Sequence, residues 1–404
     1  MSKKLPVLFL LITVVIDSMG IGLIMPVMPE LLIDLGAGNL SAAAVWGGAL
    51  ASIFAVMQFL FGPTVGNLSD RYGRRPVLLI SLAAMAFDYL IMGFAHAMWV
   101  LVLGRIIGGV TAATQSTANA YMADISRPDE KTQNFGLVGA AFGVGFILGP
   151  LVGGLLGTLG PRAPFFAAAG LAAANTIFGY FILSETVTDA IRRPFEWRRA
   201  NPVGSLKHVG KLPGATRLLI VYFFYNVAFF VYPSVWAYYT QERFGWDSTM
   251  TGVSLAVFGL TMAIMQGGVI RLIIPRLGEH YTVIVGFALN AVAFSLYAMV
   301  TDGWQIFAMA PITSIGVIAG PALQGIMSRA AHNDQQGELQ GVLTSISAIG
   351  IIISPLVMTS TFSYFTSAGT PYYFPGAPFV LATGLMVFSL AIFAGRTRLY
   401  SYGK

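Results

Sequence analysis

Cysteine is absent from the 404 residues. That removes disulfides, thiol nucleophiles and Cys-ligated metals from the chemistry open to this chain. Charge is also scarce: 10% of residues carry it, against about 25% in a soluble globular protein. Water therefore does not solvate most of the surface. No phosphate-binding loop, zinc triad or nucleophile–base spacing occurs, which argues against a membrane-bound enzyme. Long polar stretches are missing too, except over residues 185–215.

What the chain has in abundance is apolar length. It is 56% hydrophobic, with a mean hydropathy of +0.74. Its apolar runs are continuous rather than alternating, which indicates helices crossing a layer about 30 Å thick and not a barrel. Twelve spans are expected, at 6–32, 43–67, 76–95, 98–121, 133–158, 163–184, 216–240, 248–274, 281–300, 304–328, 337–361 and 376–395. The fold class is thus an all-α membrane protein. A six-helix bundle over 1–184 and another over 216–404 are joined by a cytoplasmic linker over 185–215. Lys3-Lys4 before an apolar run resembles a secretory leader, but no small-residue cleavage site follows, so the stretch reads as the first span.

Placing both termini in the cytoplasm puts 20 of the 23 Lys and Arg on that side, the exceptions being Arg105, Arg162 and Arg243. The positive-inside rule then sets the topology. It also accounts for the formal charge of +6, so nucleic acid is not an expected partner. The linker, with Arg192, Arg193, Arg198, Arg199, Lys207 and Lys211, reads as solvated or as touching lipid head groups.

The two halves share a template. Gly136, Gly145 and Pro150 recur 205 positions later as Gly341, Gly350 and Pro355, and Gly73 recurs as Gly278. Bundles related in this way are expected to hold a substrate cavity at their interface near the bilayer midplane. Only the first copy carries the full run Gly145-Phe-Ile-Leu-Gly149-Pro150-Leu-Val-Gly153-Gly154. Its glycines allow close helix approach, and Pro150 removes a backbone hydrogen bond. The run is either a hinge and seal against proton leak or a tight packing seam. The loop Gly66-Asn-Leu-Ser-Asp70-Arg71-Tyr-Gly73-Arg74-Arg75-Pro76 embeds an acid among bases. Asp70, Arg71 and Arg74, with Asp124 at the end of span 4, form either a conformational latch or topological anchors.

These two motifs together resemble the major facilitator superfamily, in its twelve-span drug:proton antiporter branch. The likeness is closer still to the tetracycline efflux proteins of Gram-negative bacteria, through residues 16–27, Asp88-Tyr89-Leu90, Leu103-Gly104-Arg105, Arg243-Phe244-Gly245-Trp246 and Pro321-Ala322-Leu323-Gln324-Gly325. The resemblance implies efflux of a magnesium–tetracycline chelate in exchange for a proton, with no resident cofactor and magnesium carried with the substrate. It places Asp17, Asp88, Arg105 and Asp70 at functional positions, and Gln58 and Gln266 in the transport path. This chain departs at two places where such pumps carry an Asp and, in several, a His: Asn290 in span 9 and Met262 in span 8.

The residues themselves support an antiporter. Asp17, Asp88 and Arg105 are the charged groups expected within the lipid region. Each costs about 2.5–3.5 kcal/mol at a helix centre, so each needs a partner or a watery cavity. Asp17 is read as a proton or substrate coupler, or else as an ion-pair member. Asp88 is a coupler or a helix–helix hydrogen bonder. Arg105 tunes a neighbouring acid or pairs structurally. Asn290 cannot titrate, so coupling is expected in the N-terminal bundle. The aromatic stripe of span 7, including Tyr222, Tyr225, Tyr232 and Tyr239, is either core or a ligand wall. Phe230 and Trp236 from it are candidate substrate contacts, joined by uncharged Gln58, Asn226, Gln266, Asn290 and Gln324. Ser116, Thr117 and Asn119 are weaker candidates. The expected activity is proton-coupled efflux of a tetracycline-like amphipathic drug by a monomer in the bacterial inner membrane. The alternatives are export of another antibiotic or lipid-like compound, or metabolite transport on the same fold.

Overall fold

The computed structural model describes residues 4–112, 114–127, 130–189, 192–197, 201–202, 216–330 and 336–395. Lys3, the linker bases Arg198, Arg199, Lys207 and Lys211, and the tail 396–404 lie outside the described residues. Among the described residues the secondary structure is helical, with no strand. Twelve helices among the described residues are long and apolar enough to cross a bilayer. They are α1 (Leu5–Ile24), α2 (Leu40–Tyr72), α3 (Arg74–Gly93), α4 (Met98–Ile125), α5 (Gln133–Gly157), α6 (Ala163–Ile182), α7 (Thr216–Phe244), α8 (Ser248–Val269), α9 (Leu272–Met299), α10 (Gly303–Arg329), α11 (Leu339–Thr366) and α12 (Ala377–Ala394). In lipid every backbone polar group must be satisfied within the segment, and these runs do so as helices.

Two boundaries differ from the sequence expectation for identifiable reasons. The first span was expected to reach residue 32, but α1 stops at Ile24, and a turn precedes the short helix Met28–Leu32. Pro26 lacks the N–H needed to continue the helix and disfavours helical backbone at Met25. Conversely, α2 runs past 67, through Pro63, to Tyr72. Asn67 to Asp70 are therefore helical, and the turn into α3 is made at Gly73, whose φ of +115° suits a residue without Cβ. The α7 span is broken at Phe230 into Thr216–Phe229 and Val231–Phe244. Pro233 explains the break, because it cannot bond the carbonyl four residues back and its ring crowds that group.

Packing divides the chain into two compact units. The first holds Met1–Pro202 with Trp246–Gly259, and the second holds Val203–Gly245 with Leu260–Lys404. The start of α8 thus packs in the first unit, whereas the sequence reading assigned all of 216–404 to a second bundle. Gly252 lets it do so, since a Cβ there would overlap the Pro150 carbonyl of α5. The first unit's core gathers Phe9, Leu10, Val14, Leu78, Leu82, Tyr121 and Met122. The second unit's core is aromatic. Tyr232 and Trp236 of α7 meet Tyr297 of α9 at ring separations of 5.9 and 5.3 Å, and Tyr239 meets Phe379 of α12 at 4.9 Å.

Candidate functional site

The three charged residues expected within the lipid region, Asp17, Asp88 and Arg105, lie in the first unit on α1, α3 and α4. Asp88 of α3 is 2% exposed and Arg105 of α4 is 9% exposed, so their pairing is sealed from surroundings on nearly every side. Arg105 Nη2 donates to Asp88 Oδ2 at 2.7 Å and also lies 2.6 Å from the Met92 sulfur. Its guanidinium stacks over the Phe54 ring at 5.0 Å, which favours a desolvated cation. Helix α4 makes room for the carboxylate through two glycines one turn apart. A Cβ at Gly104 would sit 2.8 Å from Asp88 Oδ1, and one at Gly108 would sit 2.5 Å from Oδ2. Oδ1 of Asp88 and Nε of Arg105 are buried with no hydrogen-bond partner. The carboxylate can therefore accept a proton on Oδ1 without giving up its bond to Arg105.

Asp17 of α1 is placed differently. It is half-buried, and no hydrogen bond or ion pair reaches it among the described residues. Tyr89 packs toward α1. Following Asp88 by about 100° around α3, it turns toward α1, where its hydroxyl lies against Gly20. Gly20 is three residues along α1 from Asp17. The sequence reading gave Tyr89 no role, and neither Gly104 nor Gly108 was singled out. Adjacency to Asp88 and the i, i+4 glycine spacing around Arg105 were the available signs.

The glycine run of α5 forms a seam with two faces. On one face, a Cβ at Gly149 would lie 2.6 Å from the Met19 carbonyl oxygen and 2.9 Å from Gly22 Cα. Gly145 and Gly153, one turn to either side, likewise meet α1 backbone at Val15 and Leu23. On the other face, Gly154 approaches Ser248 and Thr249 at the start of α8, and both hydroxyls donate to the Gly154 carbonyl at 3.3 Å. Pro150 lies inside this continuous helix and touches Gly22.

At the α2–α3 turn, Arg74 is gripped from two sides. It meets Asp70 Oδ1 at 2.6 Å and Asp124 Oδ2 at 3.2 Å, and it donates to the Ser69 hydroxyl at 3.1 Å. Arg71 takes no part in that ion pairing. Its guanidinium lies over the Tyr72 ring, and it lines a cleft of about 420 Å³ with Asp189, Arg192, Arg193, Pro194 and Phe195. The structure adds a residue that sequence reasoning missed. Glu185, just after α6, accepts from the backbone N–H of Arg74 at 2.8 Å and of Arg75 at 3.3 Å. It thereby caps the N-terminus of α3, where the helix dipole favours an anion. Thr186 donates to Asp124 Oδ2 at 3.0 Å. The first residues of the linker are thus fastened to the turn.

In the second unit the candidate substrate residues are dispersed among different environments. Asn226 donates to the Tyr222 carbonyl and accepts from Ser347. Gln324 donates to the Tyr222 hydroxyl at 3.2 Å. Asn290 is fully buried and donates to the Gly316 carbonyl at 2.8 Å, while its Oδ1 has no partner. Trp236, 2% exposed, faces its aromatic neighbours instead of open space. Phe230 is half-buried and Gln266 is exposed. In the first unit, Gln58 is exposed and donates to the Ala112 carbonyl at 3.4 Å.

Comparison with known proteins agrees with this architecture. The Major Facilitator Superfamily matches residues 10–355. The class C tetracycline resistance protein of Escherichia coli is 40% identical over 92% of this chain and 92% of its own. The class E protein of the same organism is 38% identical over 96% of this chain and 94% of its own. A crystallised human organic anion transporter shares the fold with a TM-score of 0.70 at 24% identity, covering 97% of this chain and all of that one. Matches of this extent mean that the protein is a multi-pass inner-membrane transporter of a small-molecule substrate and not an enzyme. It belongs to the major facilitator superfamily, in the same family as the tetracycline resistance proteins of Gram-negative bacteria.

Proposed function

We propose that this protein exports tetracycline-like amphipathic drugs in exchange for protons, by alternating access, as a monomer with both termini in the cytoplasm. The observation that carries this reading is Asp17. A carboxyl in a membrane helix, half-buried and held by no partner among the described residues, is free to exchange a proton for a cationic cargo. Its neighbours give the exchange a second station: Asp88, fixed by Arg105, keeps Oδ1 without a hydrogen-bond partner, and the Tyr89 hydroxyl beside Asp88 in sequence lies against α1 at Gly20. The glycine seam of α5 on α1 holds that region tightly packed, which suits a barrier to proton leak. Likeness to resistance proteins over most of the chain supports the drug class. No resident cofactor is required, and any magnesium travels with the cargo as substrate.

The test is uptake into inverted membrane vesicles carrying the protein, with an imposed acid gradient and a panel of drugs. Tetracycline accumulation that collapses on adding a protonophore is the expected result. Accumulation of a different antibiotic, a lipid-like compound or a metabolite would replace the cargo assignment. Accumulation indifferent to the protonophore would overturn antiport.

A further inference from the structure

The spacing of 205 residues that relates the two halves also relates two ion pairs. Arg74 corresponds to Glu279, and Asp124 corresponds to Arg329. In the first unit Arg74 meets Asp124. In the second, the Arg329 guanidinium meets the Glu279 carboxylate. The contact occurs in both copies, yet both signs are exchanged. Reversing one member alone would set like charges face to face, so the two reversals make sense together only if the contact itself has a use.

The surroundings are copied as well. Gly73 and Gly278, with φ of +115° and +72°, immediately precede the paired loop residues. Gly325, one turn before Arg329, leaves α10 thin where the Glu279 carboxylate lies, since a Cβ there would stand 3.1 Å from Oε1. One arm differs: Asp70, the second carboxylate on Arg74, corresponds to Pro275. The Arg329 side chain is 64% exposed, against 15% for Arg74. The second pair is the looser of the two.

We propose that Glu279 and Arg329 form a conformational latch, a charge-reversed copy of the Arg74–Asp124 pair. It holds the break in α9 at Gly278, where the backbone leaves the helical region, to the end of α10 in one state of the transport cycle and lets go in another. These are positioning residues, and the proposal rests on the transport reading above.

Because the chain has no cysteine, one introduced thiol reports on the latch alone. Thr282 is fully buried, and its hydroxyl donates to the Gly278 carbonyl at 2.7 Å. In full-length protein carrying Thr282→Cys, in inverted vesicles, Glu279→Gln or Arg329→Gln should raise alkylation by a membrane-impermeant maleimide about two- to fivefold, the scale of a partly exposed ion pair. The exchanged variant Glu279→Arg/Arg329→Glu should return it to the parent rate. Drug uptake by the single variants should change in maximal rate and not in KM. Val283→Cys, equally buried, serves where Thr282→Cys disturbs the turn. Unchanged alkylation in both single variants, or no recovery in the exchanged one, overturns the latch. A parent that transports no drug yet shows this alkylation pattern supports the latch and overturns the transport reading instead.

Discussion

Replacing Asp88 with Asn leaves Arg105 as a cation 9% exposed, over the Phe54 ring, with no carboxylate to answer it. Removing one member of a buried pair costs about 3–5 kcal/mol, because the survivor keeps its desolvation cost and loses its attraction. Arg105→Gln should cost about the same, for the stranded charge is then Asp88. The double variant strands neither charge. The two single costs should therefore fail to add by at least about 2 kcal/mol, in the range seen for directly contacting residues. Asp17→Asn, which breaks no contact among the described residues, should cost less than about 1 kcal/mol. Unfolding of the purified variants in lipid nanodiscs measures these differences, and drug-driven proton flux in proteoliposomes measures coupling. The expected pattern is a stable Asp17→Asn and a recovered double variant, both devoid of proton flux. Additive single costs would refute the pairing. Undiminished flux in both stable variants would refute placing the exchange in the first unit.

Two other perturbations follow from the geometry. Gly149→Val pushes a branched side chain against the Met19 carbonyl, which a Cβ alone would approach to 2.6 Å. Overpacking of this kind costs about 1–3 kcal/mol, so immunoblots should show the protein in the membrane while vesicle uptake is lost, and full uptake would refute the seam's role. Glu30, in the short helix after α1, has its carboxyl pushed above the ordinary range by burial first and by Asp247 and Asp34 next. An acid raised in the folded state destabilises it when ionised, and that cost is relieved as pH falls through the folded value. Glu30→Gln should thus raise the unfolding temperature at neutral pH, with the gain fading on acidification. A gain independent of pH would exclude the charge as its cause.

Architecture was legible in the sequence because bilayer thickness dictates the length of each apolar run, and the repeat announces itself through glycine and proline at one offset. Helix ends were less so. Pro26 ends α1 where hydropathy alone carries it onward, while Pro63 is tolerated within α2. Of the site, the charged residues stood out by cost, since Asp and Arg are rare in such surroundings. Their supports did not. Gly104 and Gly108 look like any small residues in a membrane helix until Asp88 is seen against them. Glu185 lies beyond the last residue of a span, 111 positions from the backbone amide it caps. The aromatic stripe of α7 was ambiguous between core and ligand wall, and the rings of Tyr232 and Trp236 lie in the core. Periodicity shows which residues share a side of a helix, but not what lies across from it.

The glycine pair under Asp88 also determines where that acid can sit. A Cβ on Gly104 or Gly108 would crowd one or the other carboxylate oxygen, so α4 can lie this close to Asp88 only while both positions carry no side chain. A substituent as small as a methyl on either glycine would therefore push the Asp88 carboxylate away from its place beside Arg105 and prise α4 from α3.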